Sequence, residues 1–136
     1  MDIPIRIEHL GIAVKDENTA KKTFSALLGC EPYKEEVVES EGVKTIFYRV
    51  GESKIELLVA TRADSPVAKF IEKRGEGVHH VAFGVGDANA ALLRLKNLDF
   101  SPINPEAKDG ADDKRIAFLH PKSTHGTLVE LCSDKR

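Results

Sequence analysis

One short pattern occurs twice in this chain. Ile7-Glu8-His9-Leu10-Gly11-Ile12-Ala13-Val14, followed by Asp16, matches Val78-His79-His80-Val81-Ala82-Phe83-Gly84-Val85, followed by Asp87. The same 71 residues separate His9 from His80 and Asp16 from Asp87. In a chain of 136 residues that period leaves room for two copies of one small unit. A unit of that size buries too little surface to be comfortable alone, so the copies are expected to share one fold.

Both runs alternate apolar and small or polar residues with a period of two, which predicts a strand packed on one face. A helix follows each. Asp16 is a candidate N-cap, Ala20, Phe24, Leu27 and Leu28 recur at helical spacing, and Gly29 stands at the C-terminal stop. In the second copy Asp87 caps a helix with Ala88, Ala91, Leu92, Leu95 and Leu98 as its apolar stripe. Strand-like segments then come at about Glu36–Glu39, Thr45–Val50 and Lys54–Val59 in the first copy, and at Arg115–Leu119 and Thr127–Cys132 in the second. Gly51-Glu52-Ser53 and the stretch from Pro121 to Gly126 read as the turns between paired strands.

The simplest unit is βαβββ, and the expected fold is α+β, two tandem βαβββ modules pairing curved mixed sheets. Residues 1–136 form one domain in this reading, with modules over 5–60 and 77–134 and a linking helix over 61–76. The linker has the signals for that helix: Asp64-Ser65-Pro66 supplying a cap and a first-turn proline, Val67, Phe70 and Ile71 on one face, Lys73 and Arg74 in the last turn, and Gly75 as the stop.

Alternation assigns side chains to faces. Leu10, Ile12 and Val14 face the helices and leave His9 opposite, just as Val81, Phe83 and Val85 leave His80 opposite. In the closing strands Ile55, Leu57 and Val59 face the helices with Glu56 opposite, and Val129 and Leu131 do so with Glu130 opposite. Each copy thus places one imidazole and one carboxylate on its concealed face. Such groups are expensive in a β-rich interior unless they are paired or bind metal.

Paired sheets would bring the four to one site, where two neutral imidazoles and two carboxylates balance a divalent charge and leave two octahedral positions open. The donor set suits Co, Mn, Ni, Zn or Mg. His79, on the helix-facing side, is read as a core or supporting hydrogen-bonding group. His120 and His125 are read as solvated loop residues.

The remaining composition narrows the partners. Charged residues make up 31% and the net charge is −2, without the basic excess of a nucleic-acid binder. No apolar run approaches the roughly 18 residues of a membrane span, and the first residues lack a signal-peptide core. Cys30 and Cys132 are too few and too far apart for a disulfide framework. The expectation is a soluble, cytoplasmic protein.

At these residues the chain resembles the vicinal oxygen chelate superfamily, and within it the methylmalonyl-CoA epimerases, from about Ile7 to Leu131. The more specific stretches are Asp64 to Ile71 running into Gly75 to Phe83, and Phe118 to Ser123 leading to Leu128 to Leu131. The resemblance implies four metal ligands, His9, Glu56, His80 and Glu130, with cobalt the preferred metal. It also implies methylmalonyl-CoA as substrate, a homodimer, and epimerisation through an enolate; that chemistry calls for two acid/base groups, and Glu130 is the candidate for one, either while bound to metal or after partial displacement.

One departure is visible. Several bacterial epimerases carry a proposed base three residues after a glycine, and here Gly42-Val43-Lys44 is followed by Thr45. That leaves the second acid/base group unassigned, with Glu39 and Glu41 near it in sequence. Lys122 and Ser123 are candidate CoA contacts, and Lys114 and Arg115 candidates for the nucleotide. The alternatives are a glyoxalase-type glutathione hemithioacetal isomerase and a non-catalytic small-ligand-binding module. A ring-cleaving dioxygenase would need iron held by two histidines and one carboxylate, which Glu56 makes awkward.

Overall fold

A computed structural model describes residues 2–135. Eight strands and three helices follow in the order β1 (Arg6–Ala13), α1 (Glu17–Leu28), β2 (Lys34–Val38), β3 (Val43–Val50), β4 (Ser53–Ala60), α2 (Pro66–Arg74), β5 (Gly77–Gly84), α3 (Ala88–Lys96), β6 (Lys108–Asp109), β7 (Lys114–Leu119) and β8 (Val129–Asp134). The fold is α+β and the order is βαβββ, linking helix, βαβββ.

The helix ends are where the caps predict. Asp16 accepts from the Thr19 N–H at 2.9 Å, and Gly29 closes α1 in the left-handed region at φ 70°. Ser65 accepts from the Ala68 N–H at 3.1 Å with Pro66 in the first turn, and Asp87 accepts from the N–H groups of Asn89 and Ala90.

Four expectations shift in detail. The strand placed at Glu36–Glu39 is β2 at Lys34–Val38, and Glu39–Glu41 forms a 3-10 turn ended by Gly42 at φ 62°. The last strand starts at Val129 rather than Thr127. The second module gains β6, a two-residue polar strand antiparallel to β7 whose shortness gives alternation nothing to report. Leu98 lies beyond the end of α3 and Leu27 at the edge of the α1 stripe, and both are exposed.

Two compact units emerge, and their border runs through β1. One comprises Leu10–His79; the other comprises the residues up to His9 together with those from His80 onward. In the Leu10–His79 unit, β2, β3 and β4 form antiparallel pairs in register Glu36↔Thr45 and Thr45↔Leu58. Helix α1 covers one face, with Ala20, Phe24 and Leu28 against Val14, Ile46, Tyr48 and Leu57. Helix α2 covers the other, with Val67, Phe70 and Ile71 against Ala13, Val43 and Leu58.

In the other unit β5 pairs parallel with β8, and β7 pairs antiparallel with β8. Helix α3 places Ala88, Ala91, Leu92 and Leu95 on Val85, Ala117, Leu119, Val129 and Leu131. Full burial of one such leucine is worth roughly 1.5–3 kcal/mol. The opposite face of the same strands carries a smaller apolar group, Ala82, Ile116 and Cys132 with Phe118 against them. On that face the polar residues gather.

Candidate metal centre

Register builds the centre. Glu130 lies across from Ala82 on β5 and from Phe118 on β7, so a small side chain on one side leaves room and an aromatic one on the other forms a wall. His80, two residues before Ala82, shares its face. The His80 ring meets Phe118 edge-on, with centroids 5.7 Å apart. His9 enters from β1 with its ring perpendicular to that of His80, centroids 5.1 Å apart. All three are at most 6% exposed.

The donor atoms converge. His9 Nε2 lies 3.0 Å from His80 Nε2 and 3.5 Å from Glu130 Oε1, and His80 Nε2 lies 3.1 Å from the same oxygen. The three ligand atoms fall within 4.8 Å of one another. A neutral imidazole nitrogen either donates or accepts, so two facing Nε2 atoms share one proton between them. A divalent cation in that place would use both lone pairs and the carboxylate together. The trio holds nitrogen and oxygen only, which matches borderline and hard divalent ions.

Glu130 is in the ionised form that ligation requires. Burial pushes its carboxyl up, but the charges that His9 and His80 carry when protonated, with the hydrogen bonds they then donate, together outweigh burial and hold it well below the usual carboxylate range.

Three of the four predicted ligands, His9, His80 and Glu130, are therefore together. Glu56 is carried by the Leu10–His79 unit, buried on β4, with Lys54 Nζ 3.7 Å from its carboxylate. Lys54 is itself only 3% exposed, and its ammonium lies 5.8 Å from the centre of the Phe47 ring. Alternation makes this lysine findable: it is two residues before Glu56 and so shares its face.

Thr45 is buried on β3 opposite Leu58, Glu39 is exposed, and Glu41 is half-buried at the end of the 3-10 turn. His79 is half-buried, edge-on to Phe70 at 4.9 Å.

The loop before β8 is braced by hydrogen bonds within it and from Ser101. His120 Nδ1 accepts from the Lys122 N–H at 3.0 Å, and Ser123 Oγ accepts from the Ser101 N–H at 2.8 Å. Lys122 is exposed. Lys114 pairs with Asp134 at 2.5 Å and Arg115 with Asp109 at 3.6 Å.

Residues 8–118 match the Glyoxalase/Bleomycin resistance protein/Dioxygenase superfamily. The chain belongs to that superfamily. Among its members, this chain is similar to the ethylmalonyl-CoA/methylmalonyl-CoA epimerase of Cereibacter sphaeroides, at 39% identity over 93% of this chain and 96% of that one. It is also similar to the mitochondrial methylmalonyl-CoA epimerase of Homo sapiens, at 37% identity over 93% of this chain and 72% of that one.

In structure the superfamily likeness extends to a variant Streptomyces coelicolor methylmalonyl-CoA epimerase bound to 2-nitronate-propionyl-CoA. The TM-score is 0.93 at 37% identity, covering 97% of this chain and 96% of that one. Among the described residues no helix is long and apolar enough to cross a membrane.

Proposed function

We propose that the chain is a metal-dependent methylmalonyl-CoA epimerase that interconverts the 2R and 2S thioesters. The observation that carries the reading is the buried convergence of His9, His80 and Glu130 in a chain 37–39% identical to two such epimerases. Glu56 completes the ligand set by resemblance. The metal is a divalent ion, cobalt in preference, with manganese, nickel, zinc and magnesium as alternatives. The resemblance further suggests a homodimer, and the composition a cytoplasmic one.

The substrate carbon lies between a carboxylate and a thioester carbonyl, so loss of its proton gives a delocalised enolate. A bound divalent ion supplies Lewis-acid stabilisation of the charge that develops on those oxygens. His9, His80 and Glu130 would hold it, with Glu56 as the fourth ligand by resemblance. One acid/base group removes the α-proton and a second returns a proton to the opposite face, which inverts the centre. Glu130, ionised and buried, is the candidate for one of these. Lys122 and Ser123 are the candidate contacts for the CoA arm.

The decisive experiment is proton exchange. Protein reconstituted with cobalt or manganese should incorporate deuterium from D2O at the α-carbon of methylmalonyl-CoA and equilibrate the two epimers. His80→Ala should do neither. Absence of both reactions in the metal-loaded wild type overturns the assignment, and turnover of methylglyoxal with glutathione in its place would move the chain to the glyoxalases.

A further inference from the structure

Glu8 and His9 are neighbours in β1, and strand alternation sends neighbouring side chains to opposite faces. Here they meet. Glu8 Oε1 lies 2.5 Å from His9 Nδ1, and both side chains are no more than 6% exposed. The position equivalent to Glu8 in the second copy is His79, whose ring instead packs edge-on against Phe70. His80 is steadied by the edge of Phe118. Thus the first histidine has a carboxylate behind it and the second an aromatic ring.

We propose that Glu8 is a positioning residue that presets His9 for ligation. A carboxylate accepts and cannot donate, so the Nδ1 atom of His9 carries the proton and donates it to Glu8. The Nε2 atom of a neutral ring is then left with its lone pair, aimed at His80 and Glu130, 3.0 and 3.5 Å away. The bond also stops the ring from turning about its Cβ–Cγ axis. A supporting carboxylate of this kind typically contributes 10–100-fold to metal affinity. This inference rests on the metal-site reading above, but its geometric half concerns the metal-free protein alone.

Two readouts test it on the full chain. In metal-free protein, 15N-resolved NMR should show a downfield, exchange-protected imidazole proton on His9 Nδ1 that disappears in Glu8→Leu. Titration with Mn2+ should show about 10–100-fold weaker binding in Glu8→Gln and recovery of most of that loss in Glu8→Asp. Unchanged thermal unfolding of the metal-free variants separates this effect from misfolding; should Glu8→Leu fail to fold, Glu8→Ala, which likewise removes the acceptor, carries the proton measurement.

A wild type without the His9 Nδ1 proton, or a Glu8→Gln protein that binds Mn2+ as wild type does, overturns the proposal. A wild type that shows the protected proton but binds no divalent ion overturns the metal-site reading and supports the preset geometry.

Discussion

Helices α1 and α3 begin at equivalent places in the repeat, and the comparison shows how far the two copies have parted. Ala20 and Ala91 hold the same position and both are buried in their cores. One residue further on, Lys21 in α1 stands where Leu92 stands in α3. Leu92 is 2% exposed and packs on the sheet. Lys21 reaches across the surface to Glu35 at 2.7 Å, beside a second pair from Lys44 to Glu17 at 2.7 Å.

The twelve-residue α1 supplements its apolar stripe with charge, whereas the nine-residue α3 relies on apolar contact. The same divergence separates His9, backed by Glu8, from His80, backed by Phe118. What the copies share is where a donor atom is delivered; what delivers it differs.

Removing the shared part should have the largest effect. His9→Ala and His80→Ala are expected to lose metal binding and α-proton exchange alike, by more than the 10–100-fold of a supporting residue, despite their different braces. Equal loss in titration and exchange assays upholds the equivalence, and retention of tight binding by either variant breaks it.

Next comes the core. Leu92→Ala should destabilise the fold by about 2–5 kcal/mol in denaturant titration, because a fully buried side chain leaves a cavity. A loss well under 1 kcal/mol would mean that α3 is not held as its packing indicates.

The acid limb of metal-free protein should show a smaller, signed effect. The Glu130 carboxyl is lowered on folding, so its contribution is complete above the unfolded value of about 4.3 and is lost as pH falls through the lower folded value. Glu130→Gln should flatten that limb in pH-dependent melts, and an unchanged limb would contradict the ion pairing with His9 and His80.

The smallest change is expected on α1. The hydrogen bond with Glu35 raises Lys21, but the pair lies at the surface, so Glu35→Gln should move the melting temperature little, and not at all in concentrated salt. A shift rivalling that of Leu92→Ala would erase the contrast between the helices.

Much of this arrangement was legible in the residues. Alternation separates Val129 and Leu131, packed under α3, from Glu130, and it does the same for Val85 and His80. Asp16, Ser65 and Asp87 mark three helix starts because a side-chain oxygen there satisfies backbone N–H groups left over by the first turn.

Other parts were hidden for equally physical reasons. Two residues cannot display a period, so β6 was silent. The bond between Glu8 and His9 defies the rule that found His9, since it joins neighbours that alternation places apart. Lys54 obeys that rule, yet a lysine between strand residues reads as a solvated charge until its burial is seen.

The division of β1 has a consequence for the order of folding. Its first residues group with the part of the chain from His80 onward, so the nitrogen of His9 meets that of His80 only after a separation of 71 residues has been closed. During synthesis from the N-terminus, β1 must wait through the whole of the Leu10–His79 unit for the neighbours of its opening half, and the trio is complete only once β8 has been made. Contacts so distant in sequence are slow to form and entropically costly. A cation that joins His9, His80 and Glu130 would act as a late clasp, slowing unfolding more than it speeds folding.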